Sequence, residues 1–206
     1  MSELLIGRLL SASTSGCMVG CQVSRSPLPA FGEMVRIPLN PQEQIFGLIT
    51  NIRIEDDGLI RQLATADEVS EEVIQDNRMN RTVPVEISVL FIGYEQNGQM
   101  LHLLPPRPPL SLDKIYTCDE GEICRFSGLE RIGYLRHVLA HTQDLPVADL
   151  LTAHLTRASQ AQQSCGNNIW VNRAIQEVIT LLRDDYSTLT GVLNALADAG
   201  LEVQEN

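Results

Sequence analysis

A run of prolines between residues 105 and 109 places the strongest constraint on how this chain folds. Its members are Pro105, Pro106, Arg107, Pro108 and Pro109. Proline fixes its own backbone torsion and disfavours the helical region for the residue before it, so the run predicts a stiff, extended connector and excludes a helix. The spacing of apolar residues differs on its two sides. The run therefore predicts a division of the chain into two parts, residues 1–110 and residues 111–206.

The first part carries the alternation of apolar and polar residues that is typical of strands. Six segments show it, separated by turns rich in glycine, proline or serine: 4–10, 17–23, 35–39, 45–54, 85–94 and 100–104. Asn97-Gly98, between the last two segments, is the strongest hairpin signal that a short sequence can give. Asp57-Gly58 predicts a second turn of the same kind. Six short strands joined in this way predict a small β-barrel or a β-sandwich over residues 1–110.

The second part has the helical spacing of apolar residues. Thr117 and Glu120 fit a capping box, Pro146 suits a first helical turn, and Gly200 followed by Leu201 suits a helix end. The apolar stripes between these positions are wide enough to be a buried face or a subunit interface. The chain is therefore expected to be an α+β protein, with a six-stranded β-barrel followed by a helical domain over residues 111–206.

Composition excludes several classes of function. The chain has a net charge of −11 and a single lysine, Lys114. Because Asp113 precedes that lysine and Ile115 follows it, the chain has no P-loop for ATP. The acidic balance disfavours direct binding to nucleic acid, which needs cations to neutralise phosphates. The lack of a signal peptide and of a long apolar run predicts a cytoplasmic protein, and five cysteines, an odd number, fit a reducing compartment better than a disulfide framework.

No catalytic, cofactor-binding or metal-binding set is expected. Cys17 and Cys21 on one strand would lie about 13 Å apart, too far to share a zinc ion, and are interpreted as small buried hydrophobic residues. His137 and His141 have the spacing of a zinc-protease helix without its general-base glutamate, so they are interpreted as histidines on a polar face. The acidic residues 55–58 are interpreted as a hairpin tip rather than a cation site. We expect a protein that is not an enzyme.

Several segments of the first part resemble the HerA–ATP synthase barrel family. Residues 6–15 resemble its first strand and turn, and residues 46–53 fit its pattern of a glycine followed by a strand. Residues 84–94 and 104–110 resemble its last strands and exit. The resemblance spans about residues 3–115 and ends there, because the ATPase domain that follows the barrel in this family is replaced by helices.

The resemblance implies a role in assembly and docking. In that family the barrel assembles a ring-forming ATPase and docks partners. A barrel without the motor is expected to form homo-oligomers or to bind a separate HerA-like ATPase, in DNA repair or translocation. The expected contacts are Asp56, Asp57 and Arg61 at the predicted hairpin tip, and the residues from Pro105 to Pro109 at the exit.

Two alternatives remain open at this stage. The first is a small barrel that binds nucleic acid through an arginine patch, since arginine pairs bidentately with phosphate. Its members would be Arg53, Arg61, Arg78 and Arg81. The second is an enzyme whose site combines both halves of the chain, with Cys165 as a nucleophile beside a histidine.

Overall fold

A computed structural model describes residues 4–22, 28–54, 65, 70–72 and 84–201 of the chain. The strands are β1 (Leu5–Ala12), β2 (Gly16–Gln22), β3 (Met34–Asn40), β4 (Glu43–Ile54), β5 (Pro84–Gln96), β6 (Gln99–Leu101) and β7 (Lys114–Thr117). The helices are α1 (Glu120–Ser127), α2 (Leu135–Leu139), α3 (Val147–Ser164), α4 (Trp170–Leu181) and α5 (Tyr186–Asp198). The predicted order of strands followed by helices is confirmed.

Six antiparallel strands close into a barrel in the order β2-β1-β7-β3-β4-β5, and the pairing of β2 with β5 completes the ring. β6 extends β5 as a hairpin outside this ring. The sixth barrel strand is β7, which lies after the proline run, between β1 and β3. The barrel therefore continues past residue 110, where the proline run predicts its end.

The hairpin between β5 and β6 forms at Asn97-Gly98, as the sequence predicts. Both residues have positive φ, 51° and 78°, which is the left-handed backbone that a two-residue type I′ turn requires. Asparagine and glycine are the residues that adopt this backbone at least cost. This turn sends the chain into the proline run.

The first helix is capped two residues later than Thr117 and Glu120 predict. Asp119 accepts a hydrogen bond from the Glu122 backbone N–H at 2.8 Å, and Glu122 accepts one from the Asp119 N–H at 3.0 Å. Thr117 cannot be the cap, because its backbone N–H is still bonded to Leu4 as part of the barrel. Glu122 also pairs with Arg36 of β3 at 2.8 Å, so the capping box fixes α1 to the barrel.

Two other predicted helix boundaries, at Pro146 and at Gly200, are close to the observed ones. α3 begins directly after Pro146, and α5 ends in a Schellman motif. In that motif Leu201 N–H donates to the Leu196 carbonyl, and Gly200, with φ of 72°, donates to Ala197.

Two apolar clusters form the core. One fills the barrel interior with residues such as Val35, Ile49 and Phe91. The other lies between the outer face of the barrel and the helices, and it joins strand residues such as Phe46 and Leu48 to helical ones. Residues 45–50 of β4 are all buried because one face of this strand belongs to each cluster. The apolar stripes of the helices therefore pack largely against the barrel and against each other.

An aromatic group ties this second cluster together. The ring of Phe126 lies 4.7 Å from that of Phe46 and 5.4 Å from that of Tyr134. The Tyr134 hydroxyl bonds to His154 Nε2 at 2.8 Å, and both side chains are fully buried. Trp170 of α4 donates its indole N–H to the Ser127 carbonyl at 2.8 Å, which locks α4 onto the end of α1.

Candidate docking surface

The proline run crosses from β6 to β7 and is anchored to the protein at two points. Pro105 and Pro109 are buried, whereas Pro106, Arg107 and Pro108 are exposed. The backbone bends at 106–107 instead of remaining straight. The run is thus a fixed element of the surface, with its exposed residues held between two buried prolines.

The four residues that follow form a tight turn, which we name the leucine turn (Leu110, Ser111, Leu112 and Asp113). The Asp113 N–H donates to the Leu110 carbonyl at 3.2 Å, and Asp113 Oδ2 accepts from the Leu110 N–H at 2.8 Å. Leu112 exchanges further bonds with β1, donating its N–H to Leu9 and accepting from Arg8 Nη1. These hydrogen bonds tie the turn to itself and to β1.

The leucine turn exposes apolar side chains in spite of this rigidity. Leu110 is 74 % exposed and Leu112 is 65 % exposed, and Leu10 of β1 beside them is 50 % exposed. The side chain of Leu10 lies over Gly20, where a Cβ would come within 3.1 Å of it. Exposed leucines on a backbone held by hydrogen bonds make this turn a candidate protein-binding surface.

Two cations flank this apolar surface. Arg8 and Lys114, the only lysine of the chain, are directly opposite each other in the β1–β7 pair. Residues opposite each other in an antiparallel pair point to the same side of the sheet, and both of these are exposed. Among the described residues, positive charge therefore lies next to the most exposed leucines of this acidic protein.

A second feature lies on the other side of the proline run, and we name it the proline groove. It is a cavity of about 260 Å³ at the ends of β3, β4 and β5. It is lined by Leu39, Glu43, Gln44, Ile45, Tyr94, Glu95, Gln96, Pro105, Pro106 and Arg107. Its walls combine aliphatic, aromatic and proline surface with two carboxylates and the guanidinium of Arg107, which leaves one net negative charge, so the groove suits an apolar group that has a cation beside it.

Hydrogen bonds hold both carboxylates of the groove. Gln96 Nε2 and Asn40 Nδ2 donate to Glu43 at 2.6 and 2.8 Å, and these bonds, with a smaller effect of nearby Arg107, lower the pKa of Glu43. Gln44 Nε2 donates to Glu95 at 2.6 Å. Both side chains are only partly buried and lie at the mouth of the groove.

The expected hairpin-tip contacts lie outside the described residues. This holds for Asp56, Asp57 and Arg61, and also for Arg78 and Arg81 of the alternative arginine patch. Arg53 is described, near the end of β4, where it stands opposite Glu86 of β5. Of the predicted contacts, the structure therefore describes the proline run together with this one arginine.

The cysteines divide into buried thiols and one disulfide. Cys17 is buried and Cys21 partly buried on β2, as their interpretation as small hydrophobic residues predicts, and burial raises the pKa of Cys17 to about 12. Cys124 of α1 is bonded to Cys165 at the end of α3. Cys165 is therefore not a free thiol in this structure, whereas the alternative of a nucleophile beside a histidine needs one.

His137 and His141 bond to backbone carbonyls. His137 Nε2 lies 3.2 Å from the His102 carbonyl, and His141 Nδ1 lies 2.8 Å from the His137 carbonyl. Within the described residues, no group of three or more histidine, cysteine, aspartate or glutamate side chains could hold a metal ion. Among the same residues, no helix has both the length and the hydropathy to cross a membrane.

Comparison with known proteins assigns neither a family nor a function to this chain. No protein-family model matches the chain, and no curated protein is detectably similar to it. The candidate site therefore depends on the residues described above.

The proline run was predicted as a contact, whereas the leucine turn beside it was not. Leu110 follows the last proline directly and Leu112 comes two residues later. A segment that connects a proline run to a strand usually runs over the protein surface. Leucines in such a connecting segment were therefore the sequence signal that could have indicated an exposed apolar surface. The pairing of Arg8 with Lys114 depended on β7, which the sequence did not indicate.

Proposed function

We propose that this chain is a non-catalytic assembly protein of the cytoplasm, whose barrel docks on other protein subunits. It forms homo-oligomers or binds a separate HerA-like ATPase that works in DNA repair or translocation. The observation that carries the proposal is the leucine turn, which exposes two leucines on a backbone fixed by hydrogen bonds. A fixed apolar surface loses little conformational entropy on binding, and this favours association.

The resemblance of residues 3–115 to the HerA–ATP synthase barrel supports the choice of partner. In that family the barrel is joined to a motor domain and assembles it. In this chain the helices cover one outer face of the barrel and leave the leucine turn uncovered. The barrel can thus meet a motor that belongs to another chain.

Purification from the native cell tests the proposal. The tagged protein is expressed at its natural level, and the proteins that bind it are identified by mass spectrometry. We expect a P-loop ATPase among them, and binding of that purified ATPase to the purified protein. Recovery as a monomer without an ATPase would contradict the proposal.

A matched pair of variants locates the contact. Leu110→Ser/Leu112→Asn removes the exposed leucines, and asparagine at 112 tolerates the left-handed backbone of that position. Ile169→Ser removes an equally exposed apolar residue, 60 % exposed, at the start of α4. We expect the first variant to lose its partner subunit, a second copy or the ATPase, and the second variant to retain it.

A further inference from the structure

We infer that the leucine turn of one copy of this chain occupies the proline groove of a second copy. The inference deepens the proposed assembly function and rests on it. It assigns the self-association to two named surfaces, and it makes the second copy the occupant of the groove.

The two surfaces are complementary in polarity. The leucine turn offers Leu110 and Leu112, and the groove offers the apolar walls of Leu39, Tyr94 and Pro105. A cavity of about 260 Å³ lies just below the usual size of a small-molecule pocket and has room for aliphatic side chains. Burial of the exposed leucines in such walls removes apolar surface from water, which is the main driving force of association.

The two surfaces are also complementary in charge. Arg8 and Lys114 flank the leucines, whereas Glu43 and Glu95 stand at the groove. When the leucines enter the groove, these cations approach the two carboxylates. Arg107 also lines the groove and Asp113 belongs to the turn, so the groove keeps one net negative charge (Glu43, Glu95 and Arg107) and the turn with its flanking residues keeps one net positive charge (Arg8, Lys114 and Asp113). This match distinguishes a second copy from an uncharged apolar partner.

The position of the two surfaces determines how they can meet. Arg107 at the groove is three residues from Leu110, so their Cα atoms are at most about 11 Å apart. The hydrogen bonds between the leucine turn and β1 prevent the turn from bending into its own groove. Two copies can exchange turns reciprocally across a two-fold axis, which is the commonest symmetry of soluble oligomers.

Sedimentation of the purified full chain gives the first test. We expect a dimer, and we expect Leu110→Ser/Leu112→Asn and Leu39→Lys each to weaken its association by about tenfold or more, because each removes one of the two complementary surfaces. Ile169→Ser serves as the control and should associate like the wild type. A monomeric wild type, or unchanged association of Leu39→Lys, would overturn the inference.

Cross-linking identifies which surfaces touch. One chain carries Leu112→Cys, a second chain of different tag length carries Leu39→Cys, and the two are mixed with a short bismaleimide. We expect a cross-link between the two different chains and none when Ile169→Cys replaces Leu39→Cys. Cross-linking of Leu112→Cys only to itself would overturn the inference, since the turns would then meet each other.

These results are separable from the proposed function. A monomeric chain that still binds the ATPase overturns the inference alone. A monomeric chain that binds no ATPase overturns both.

Discussion

Leu112 shows how a single residue can be held in an unfavourable conformation. Its φ of 71° lies in the left-handed region, which is uncommon for a bulky side chain. Such a residue costs about 1–3 kcal/mol and persists only where its surroundings determine it. Here the bonds to Leu9 and Arg8 do so. A glycine would meet the same bonds without strain, and the proposed contact with a second subunit would explain why a leucine stands at this position.

Replacement of Leu112 by glycine is therefore expected to stabilise the isolated protein. Relief of the strain outweighs the greater freedom of glycine in the unfolded chain, and we expect the free energy of unfolding to rise by about 1 kcal/mol. Denaturant titration measures it. Leu110→Gly is the control, because that leucine has no positive φ, and it should give no gain. Lower stability of Leu112→Gly would show that the position is not strained.

His154 is a buried titratable residue whose charge the fold disfavours. Burial lowers the pKa of His154 from 6.5 to about 4, against a smaller opposing effect of its bond to the Gly32 backbone. Tyr134 bonds to its second ring nitrogen. Because the folded pKa lies below the unfolded one, the unfolded chain takes up a proton first as the pH falls. The contribution of neutral His154 to the free energy of unfolding is therefore fully present above pH 6.5, and it is lost as the pH falls from 6.5 to about 4.

The expected loss of stability from His154 over this window is about 3 kcal/mol. His154→Gln removes the titration, so the difference between its unfolding free energy and that of the wild type should change with pH between 6.5 and 4. His141→Gln provides the comparison. Burial also lowers the pKa of His102 and His137, so some acid sensitivity should survive in the His154 variant. A difference that is constant with pH would contradict the assignment.

The disulfide joins two helices that the sequence does not pair. Cys124 lies in α1 and Cys165 at the end of α3, with a sequence separation of 41. A cross-link over a loop of this length restricts the unfolded chain by about 4 kcal/mol in the chain-entropy model. In a reducing cytoplasm this contribution is absent, so the reduced protein there would have a smaller free energy of unfolding than the oxidised protein.

Reduction is accordingly expected to lower the free energy of unfolding by about 4 kcal/mol. The measurement is a denaturant titration with and without a dithiol. The double variant Cys124→Ser/Cys165→Ser should match the reduced wild type and should not respond to the dithiol. Equal stability of the oxidised and reduced wild type would show that this bond contributes nothing.

The elements differ in how well the sequence predicts them, for physical reasons. The long strands and helices carry several repeats of their apolar period, and the Asn97-Gly98 turn needs a backbone that few residues supply. β7 has only four residues and follows the proline run, so no period could reveal it. The cap at Asp119 was displaced because Thr117 still belongs to that strand. The disulfide and the proline groove depend on contacts distant in sequence.

As one molecule, the protein joins barrel and helices through a shared core. Phe46 of β4 contacts Phe126 of α1, and the Arg36–Glu122 pair and β7 bridge the same two parts. The resemblance of residues 3–115 to a barrel that precedes another domain suggests a separable unit. The barrel and the helices do not separate at residue 110, because the closed ring includes β7 (Lys114–Thr117), which lies beyond that position.

The barrel and the helices are therefore expected to unfold together. Trp170, the only tryptophan, reports on the helices by fluorescence, and hydrogen exchange of β4 amides reports on the barrel. In denaturant the two probes should give one midpoint, since a cooperative transition looks the same to every probe. Residues 1–110 alone should not fold, because they lack β7 and leave the outer face of β4 uncovered. Two separated midpoints, or a folded 1–110 fragment, would show that the barrel is an independent domain.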